Sequence, residues 1–160
     1  MKMQKLLIAV LLGMFAALSV AQPEDAALRK DAEAFMARAE KLVASGSPQL
    51  WSLFHPNYTA VDTQGKRKNL AEFKQQWGQM AASTKDLSIK LNVKHVRGNE
   101  NEAFLWVEEV LHFTARENGR WIKKVSTTRW AETIVKTSTG WRFMYSQELP
   151  MDEPWPFKVG

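Results

Sequence analysis

Residues 120–149 read RWIKKVSTTRWAETIVKTSTGWRFMYSQEL. A long β-rich run, rich in Val, Ile, Thr and Trp, reaches Lys136. A polar turn, Thr137-Ser138-Thr139-Gly140, reverses the chain, and a second run opens on Trp141 and ends at Leu149. This pattern predicts two long paired antiparallel strands. Upstream, the periodicity predicts two more. Ile89, Leu91, Val93 and His95 alternate with polar residues, and Glu102 to Arg116 alternates again before an Asn118-Gly119 hairpin turn. Runs this long predict bent, strongly twisted strands that carry bulges.

The N-terminal half reads as helical. Leu28, Ala32, Phe35, Met36, Ala39, Leu42 and Val43 recur at three- and four-residue spacing, so Glu24 to Ala44 is predicted to be one amphipathic helix, stopped by Ser45-Gly46-Ser47-Pro48. A short helical turn over Gln49 to Phe54 follows, then a short strand, Tyr58 to Asp62. Asn69 is placed to cap a second helix from Leu70 to about Ala82. Lys66-Arg67-Lys68 reads as a solvated turn between them. The expected fold is therefore α+β, with N-terminal helices packed on a strongly curved antiparallel sheet of four long strands plus a short one.

Residues 1–21 carry a different signal. Lys2 and Lys5 precede an apolar run, Leu6 to Leu18, and Ser19-Val20-Ala21 offers small residues at a cleavage position. The run is about 13 residues, short of the ~20 that span a bilayer. A cleaved signal peptide, a periplasmic or secreted location and no stable membrane insertion after cleavage are expected. Residues 22–149 then form one domain, and 150–160 a Pro-rich tail lying over the surface. Of 22 basic and 17 acidic residues, Lys2 and Lys5 leave with the signal, which reduces the net charge of +5 to +3. The remaining charges are mixed, without the basic stripe of a nucleic-acid surface, so no nucleic acid is expected as partner. The chain has no cysteine, which excludes disulfides, thiol nucleophiles and thiolate metal sites.

The element order resembles that of the nuclear transport factor 2-like superfamily, whose ketosteroid isomerase-like and SnoaL-like members share a cystatin-like cone. Its most specific pieces are Tyr58 to Gly65 ahead of the Asn69 helix, and Arg129 to Lys136 leading through Gly140-Trp141 to Gln147. The resemblance implies an apolar pocket between helices and the concave sheet face, and a homodimer through the outer face. Isomerase-like members use a carboxylate base with an oxyanion hole of a tyrosine and a protonated acid. The first helix here has no Tyr, and Asp62 lies beside a polar turn, so that chemistry is not carried over.

Alternation places Glu109 among Leu105, Val107, Leu111 and Phe113, where burial would raise its pKa. A bulge at Glu108-Glu109 would turn both carboxylates to water instead, and the length of the strand favours that bulge. Arg129 is expected inward, facing Glu109; the reverse facing would line the pocket with Trp130 and Glu132. On the last strand Trp141, Phe143, Tyr145 and Gln147 share a face. Trp141 and Phe143 are expected to pack on the first helix, and Tyr145 and Gln147 to present polar ends to the pocket. The candidate pocket residues are thus Tyr58, His95, Glu109, Arg129, Tyr145 and Gln147. His55, His95 and His112 lack metal-ligand spacing, and no nucleophile motif or phosphate loop occurs, so neither metal nor cofactor is expected. The function that follows is an exported domain binding a small apolar or weakly polar molecule. The alternatives are a lyase- or isomerase-type enzyme using Glu109 as acid/base with Tyr145 or His95 as donor, and a dimeric protein-interaction module.

Overall fold

A computed structural model describes residues 25–157; the segment expected to be a signal peptide lies outside the described residues. Helix α1 (Ala26–Ala44) starts where the Asp25 side chain accepts hydrogen bonds from the backbone N–H groups of Ala27 and Leu28. Its apolar stripe of Leu28, Ala32, Phe35, Met36, Ala39 and Val43 is buried. Ser47 caps a 3-10 helix (Pro48–Leu53). Strand β1 (Phe54–Val61) leads into a turn in which the Asp62 carboxylate accepts from the N–H groups of Gln64 and Lys66. Strand β2 (Arg67–Asn69) pairs with β1, so the basic cluster expected to be a turn is partly an edge strand. Asn69 and Glu72 form a reciprocal capping box at the start of helix α2 (Leu70–Ser83). The four long strands follow as β3 (Thr84–Gly98), β4 (Glu102–Glu117), β5 (Arg120–Thr137) and β6 (Gly140–Leu149).

The strands form one six-stranded sheet in the order β2-β1-β6-β5-β4-β3. It is mixed rather than wholly antiparallel, because β1 runs parallel to β6. Helix α1 packs on the inner face, where Val96, Leu105, Val107 and Ile134 are each no more than 1% exposed. Burial of a large apolar side chain of this kind contributes roughly 1.5–3 kcal/mol. The residues at the strand centre are therefore the ones that hold helix to sheet.

Bulges occur, but not where strand length suggested. The β4–β5 ladder runs without a slip from Glu102↔Val135 to Glu117↔Arg120, so Glu108 and Glu109 keep strict alternation and point to opposite faces. The extra residues lie on the neighbours. Strand β3 gains one between Lys85 and Ser88 and another, Lys94, between Val93 and His95; β6 gains Met144 between Phe143 and Tyr145. Each extra residue reverses which face the following side chains take and deepens the local twist. The consequences for the site are direct.

The tail folds back on the convex face. The Phe157 ring stacks on His95 at 4.8 Å and meets Trp106 edge-on at 5.5 Å. The Arg129 guanidinium lies 4.7 Å from the Trp155 ring centre and donates to the Glu153 carbonyl oxygen. No helix among the described residues is long and apolar enough to cross a membrane.

Candidate functional site

Between α1, the 3-10 helix, α2 and the concave face of the sheet lies a cavity in two adjoining chambers. The inner one holds about 70 Å3 and is walled by aromatic and aliphatic side chains, among them Trp51, Phe54, Tyr58 and Phe143. The outer one holds about 390 Å3 and opens between α2 and the β4–β6 strands. Phe73, Trp77, Glu109 and Trp130 line both chambers and stand where the two meet. The aromatic walls support each other: Phe54 packs against Tyr58, Phe73 and Phe143 with ring centres 4.8–5.7 Å apart.

Two carboxylates project into this setting. Unbroken alternation on β4 brings Glu109 inward alongside Leu105 and Val107, and its register partner on β5 is Thr128. The same alternation on β5 brings Thr128, Trp130 and Glu132 inward and sends Arg129 outward. Thr128 Oγ1 donates to Glu109 Oε1 at 2.9 Å, and the Trp130 indole N–H donates in turn to Thr128 Oγ1 at 3.2 Å. A second chain runs from Tyr58, whose hydroxyl donates to Ser146 Oγ at 2.7 Å, to Glu132, whose Oε2 accepts from Ser146 Oγ at 2.5 Å. Ser146 is inward because the Met144 bulge reversed the phase of β6 after Phe143.

Electrostatics follow from burial without a nearby cation. Removal from water pushes the Glu132 carboxyl up to about 8; the Ser146 hydrogen bond opposes the shift and the Glu109 charge adds to it. Glu109 is raised for the same first reason, opposed by hydrogen bonds from Thr128 and Trp130 and reinforced by Glu148. Burial, then the Glu132 charge, hold the Tyr58 phenol far above its ordinary value, so it remains a donor throughout. At neutral pH the carboxyl pair therefore carries at least one proton. Among the described residues no Lys, Arg or His lines the inner chamber. Among the described residues no group of three or more acidic or imidazole side chains is placed to hold a metal ion.

Of the six residues expected in the pocket, Tyr58 and Glu109 line the inner chamber. His95, Arg129, Tyr145 and Gln147 do not. His95 and Arg129 are on the convex face under the tail. The Tyr145 hydroxyl donates to Gln147 Oε1, and Gln147 donates to the Asp62 carbonyl oxygen, away from the cavity. The Arg129–Glu109 pair is absent, since Arg129 registers with Glu108 on the opposite face. Phe143 packs on α1 through Phe35 with ring centres 4.7 Å apart. Ser146, Thr128 and Glu148 went unrecognised as site residues. The β4–β5 pairing through the Asn118-Gly119 turn is the signal that finds Thr128 opposite Glu109.

The model of the SnoaL-like domain matches residues 32–149, most of the chain and every strand of the sheet. The chain belongs to the SnoaL-like family. Solved structures similar to this SnoaL-like domain share its fold at low identity. A nuclear transport factor 2-like protein from Salmonella enterica is 17% identical with a TM-score of 0.63, covering 81% of this chain and 98% of its own. A protein of cystatin-like fold from Novosphingobium aromaticivorans is 19% identical with a TM-score of 0.55, covering 96% and 94%. A provisionally assigned scytalone dehydratase from the same organism is 15% identical with a TM-score of 0.61, covering 75% and 81%. No functionally curated protein shows significant sequence similarity to the chain.

Proposed function

We propose that this SnoaL-like domain binds a small, largely apolar molecule in the two-chamber cavity and orients one polar group of it against Glu109 and Glu132. The observation that carries this reading is the enclosure of a hydrogen-bonded carboxyl pair by aromatic walls. A pocket of apolar surface with a few converging polar groups is how proteins hold small ligands. The pattern of residues 1–21 supports export, so the ligand is met outside the cytoplasm. Native mass spectrometry of the protein isolated from its own host is expected to show an added small-molecule mass. Leu91→Trp, which fills the inner chamber, should abolish it. A bare polypeptide mass in the unmodified protein would contradict the reading.

A second reading has its own observation. Two carboxyls in one site, one pushed up to about 8, form the arrangement that supplies an acid and a base near neutral pH. The provisional dehydratase assignment of a structural neighbour is compatible with it. In this reading Glu109 moves the proton and Glu132, rather than Tyr145 or His95, donates. It differs from binding alone in one measurable way: Glu109→Gln would abolish turnover while the bound mass persists.

Self-association through the outer sheet face is the third element of the proposal. The tail covers His95 and Trp106 there, but Phe104 is 45% and Val125 62% exposed on the remainder. Sedimentation equilibrium is expected to give the dimer mass at micromolar concentration. A monomer at all concentrations would remove this element and leave the cavity reading intact.

A further inference from the structure

The two hydrogen-bond chains of the cavity have a direction. Tyr58 donates to Ser146, which donates to Glu132; Trp130 donates to Thr128, which donates to Glu109. Each carboxyl is the accepting end of a two-step relay of donors, the arrangement that suits an ionised carboxylate. Yet among the described residues no cation lines the inner chamber to balance such a charge. A buried carboxylate without a counter-charge is costly, and its usual remedy is a basic side chain. Here no basic side chain stands among the described lining residues, and both carboxyls border open cavity.

Aromatic rings make up much of the wall of that space, beside aliphatic side chains. Rings of Trp51, Phe54, Tyr58, Phe73, Trp77 and Trp130 line it. Aromatic faces attract cations, and cages of them recognise ammonium groups. The chain already uses this attraction at the rim, where Lys74 Nζ lies 5.5 Å from the Trp51 ring centre, although Lys74 does not line the chamber. Among the described residues the outer chamber adds Asp62 and Glu148 and one basic residue, Lys68. The approach is thus acidic as well as the interior.

From these contacts we infer that the ligand is an amine: a molecule of one or two rings bearing a protonated nitrogen that sits between Glu109 and Glu132 with the aromatic side chains around it. The inference rests on the ligand-binding reading above and specifies its chemistry. The ligand brings the positive charge that the fold withholds. Binding therefore ionises the carboxyl pair and releases a proton to solvent. A neutral ligand that accepts a hydrogen bond from a protonated carboxyl has the opposite linkage, and its affinity falls as the pair ionises. Glu148, Asp62, Lys68 and Tyr58 also face the cavity. Tyr58 stays protonated throughout, so the pH response belongs to the carboxyl pair.

Two matched probes test this on the mature protein: 2-phenylethylamine and 2-phenylethanol, titrated by isothermal calorimetry at pH 6 and pH 8. The amine is expected to bind at least tenfold more tightly than the alcohol at pH 8. Its affinity should rise severalfold between pH 6 and pH 8, with heats that vary with the ionisation enthalpy of the buffer. Glu109→Gln and Glu132→Gln should each lower amine affinity about tenfold and remove its rise between pH 6 and pH 8. Alcohol binding as tight as amine binding, or amine binding that weakens with rising pH, overturns the inference and leaves small-molecule binding standing. Binding of neither probe overturns both.

Discussion

Glu132→Gln is expected to stabilise the protein in alkaline solution by on the order of 3 kcal/mol, or about 10 °C in melting temperature, and to leave it nearly unchanged at pH 5. The Glu132 carboxyl stands at about 8 in the folded chain against an ordinary value of 4.5. An acid whose pKa is raised by folding holds its proton more tightly in the native state. Its contribution is therefore fully present below pH 4.5 and is lost as pH rises through about 8. Each unit of such a shift corresponds to roughly 1.4 kcal/mol. The shift is shared with Glu109, whose charge is one of its causes, so the figure for one substitution is smaller than the whole. Glutamine retains an oxygen to accept from Ser146 and has no proton to lose. Thermal melts of both proteins from pH 5 to pH 9 should converge at the acid end and separate steadily towards the alkaline end. Parallel curves would show that Glu132 is already ionised at neutral pH.

Phe143→Ala is expected to cost about 4 kcal/mol, the largest loss foreseen from any single truncation at the site. Phe143 joins three elements: it lies 4.7 Å from Phe35 of α1 and 5.0 Å from Phe54 of β1, ring centre to centre, while standing on β6. It is also a wall of the inner chamber. Deletion of the ring leaves a void beside an existing cavity, where collapse of the neighbours is limited by the parallel β1–β6 pairing. A small domain has roughly 5–15 kcal/mol in all. Urea unfolding should therefore show a midpoint moved down by a large fraction of its value. A loss under 1.5 kcal/mol would mean that the helix does not depend on this contact.

Much of the fold was legible in the sequence because local signals and tertiary demands agreed. Asn69 caps the second helix, the apolar stripe of α1 is the buried one, and Thr137 to Gly140 turns β5 into β6. The site was legible only in part, and the reason is the period of two. Alternation placed Glu109 correctly because β4 is free of bulges against β5. It misplaced Tyr145, Gln147 and His95 because Met144 and Lys94 are extra residues in their strands, and neither differs in type from an ordinary strand residue. Strand length predicted that bulges occur without saying on which strand.

Arg129 failed for a different reason. Both faces of β5 carry apolar residues, and on the convex face the tail covers the strand at Arg129 through Trp155. A strand with apolar residues on both faces loses the contrast that tells inside from outside. The parallel pairing of β1 with β6 was likewise invisible, since it joins segments more than eighty residues apart through no local turn.

The cavity is expected to hold a carboxyl pair kept partly protonated by its surroundings. Carbon-13 NMR titration of the glutamate side-chain carboxyls, with Glu132→Gln to assign the resonance, reads that protonation residue by residue. One carboxyl, absent from the variant, should titrate close to pH 8, with a second displaced above the ordinary glutamate range and shifted by the substitution. If every glutamate in the native protein titrates below pH 5.5, the pair is solvated and the account of the site is wrong.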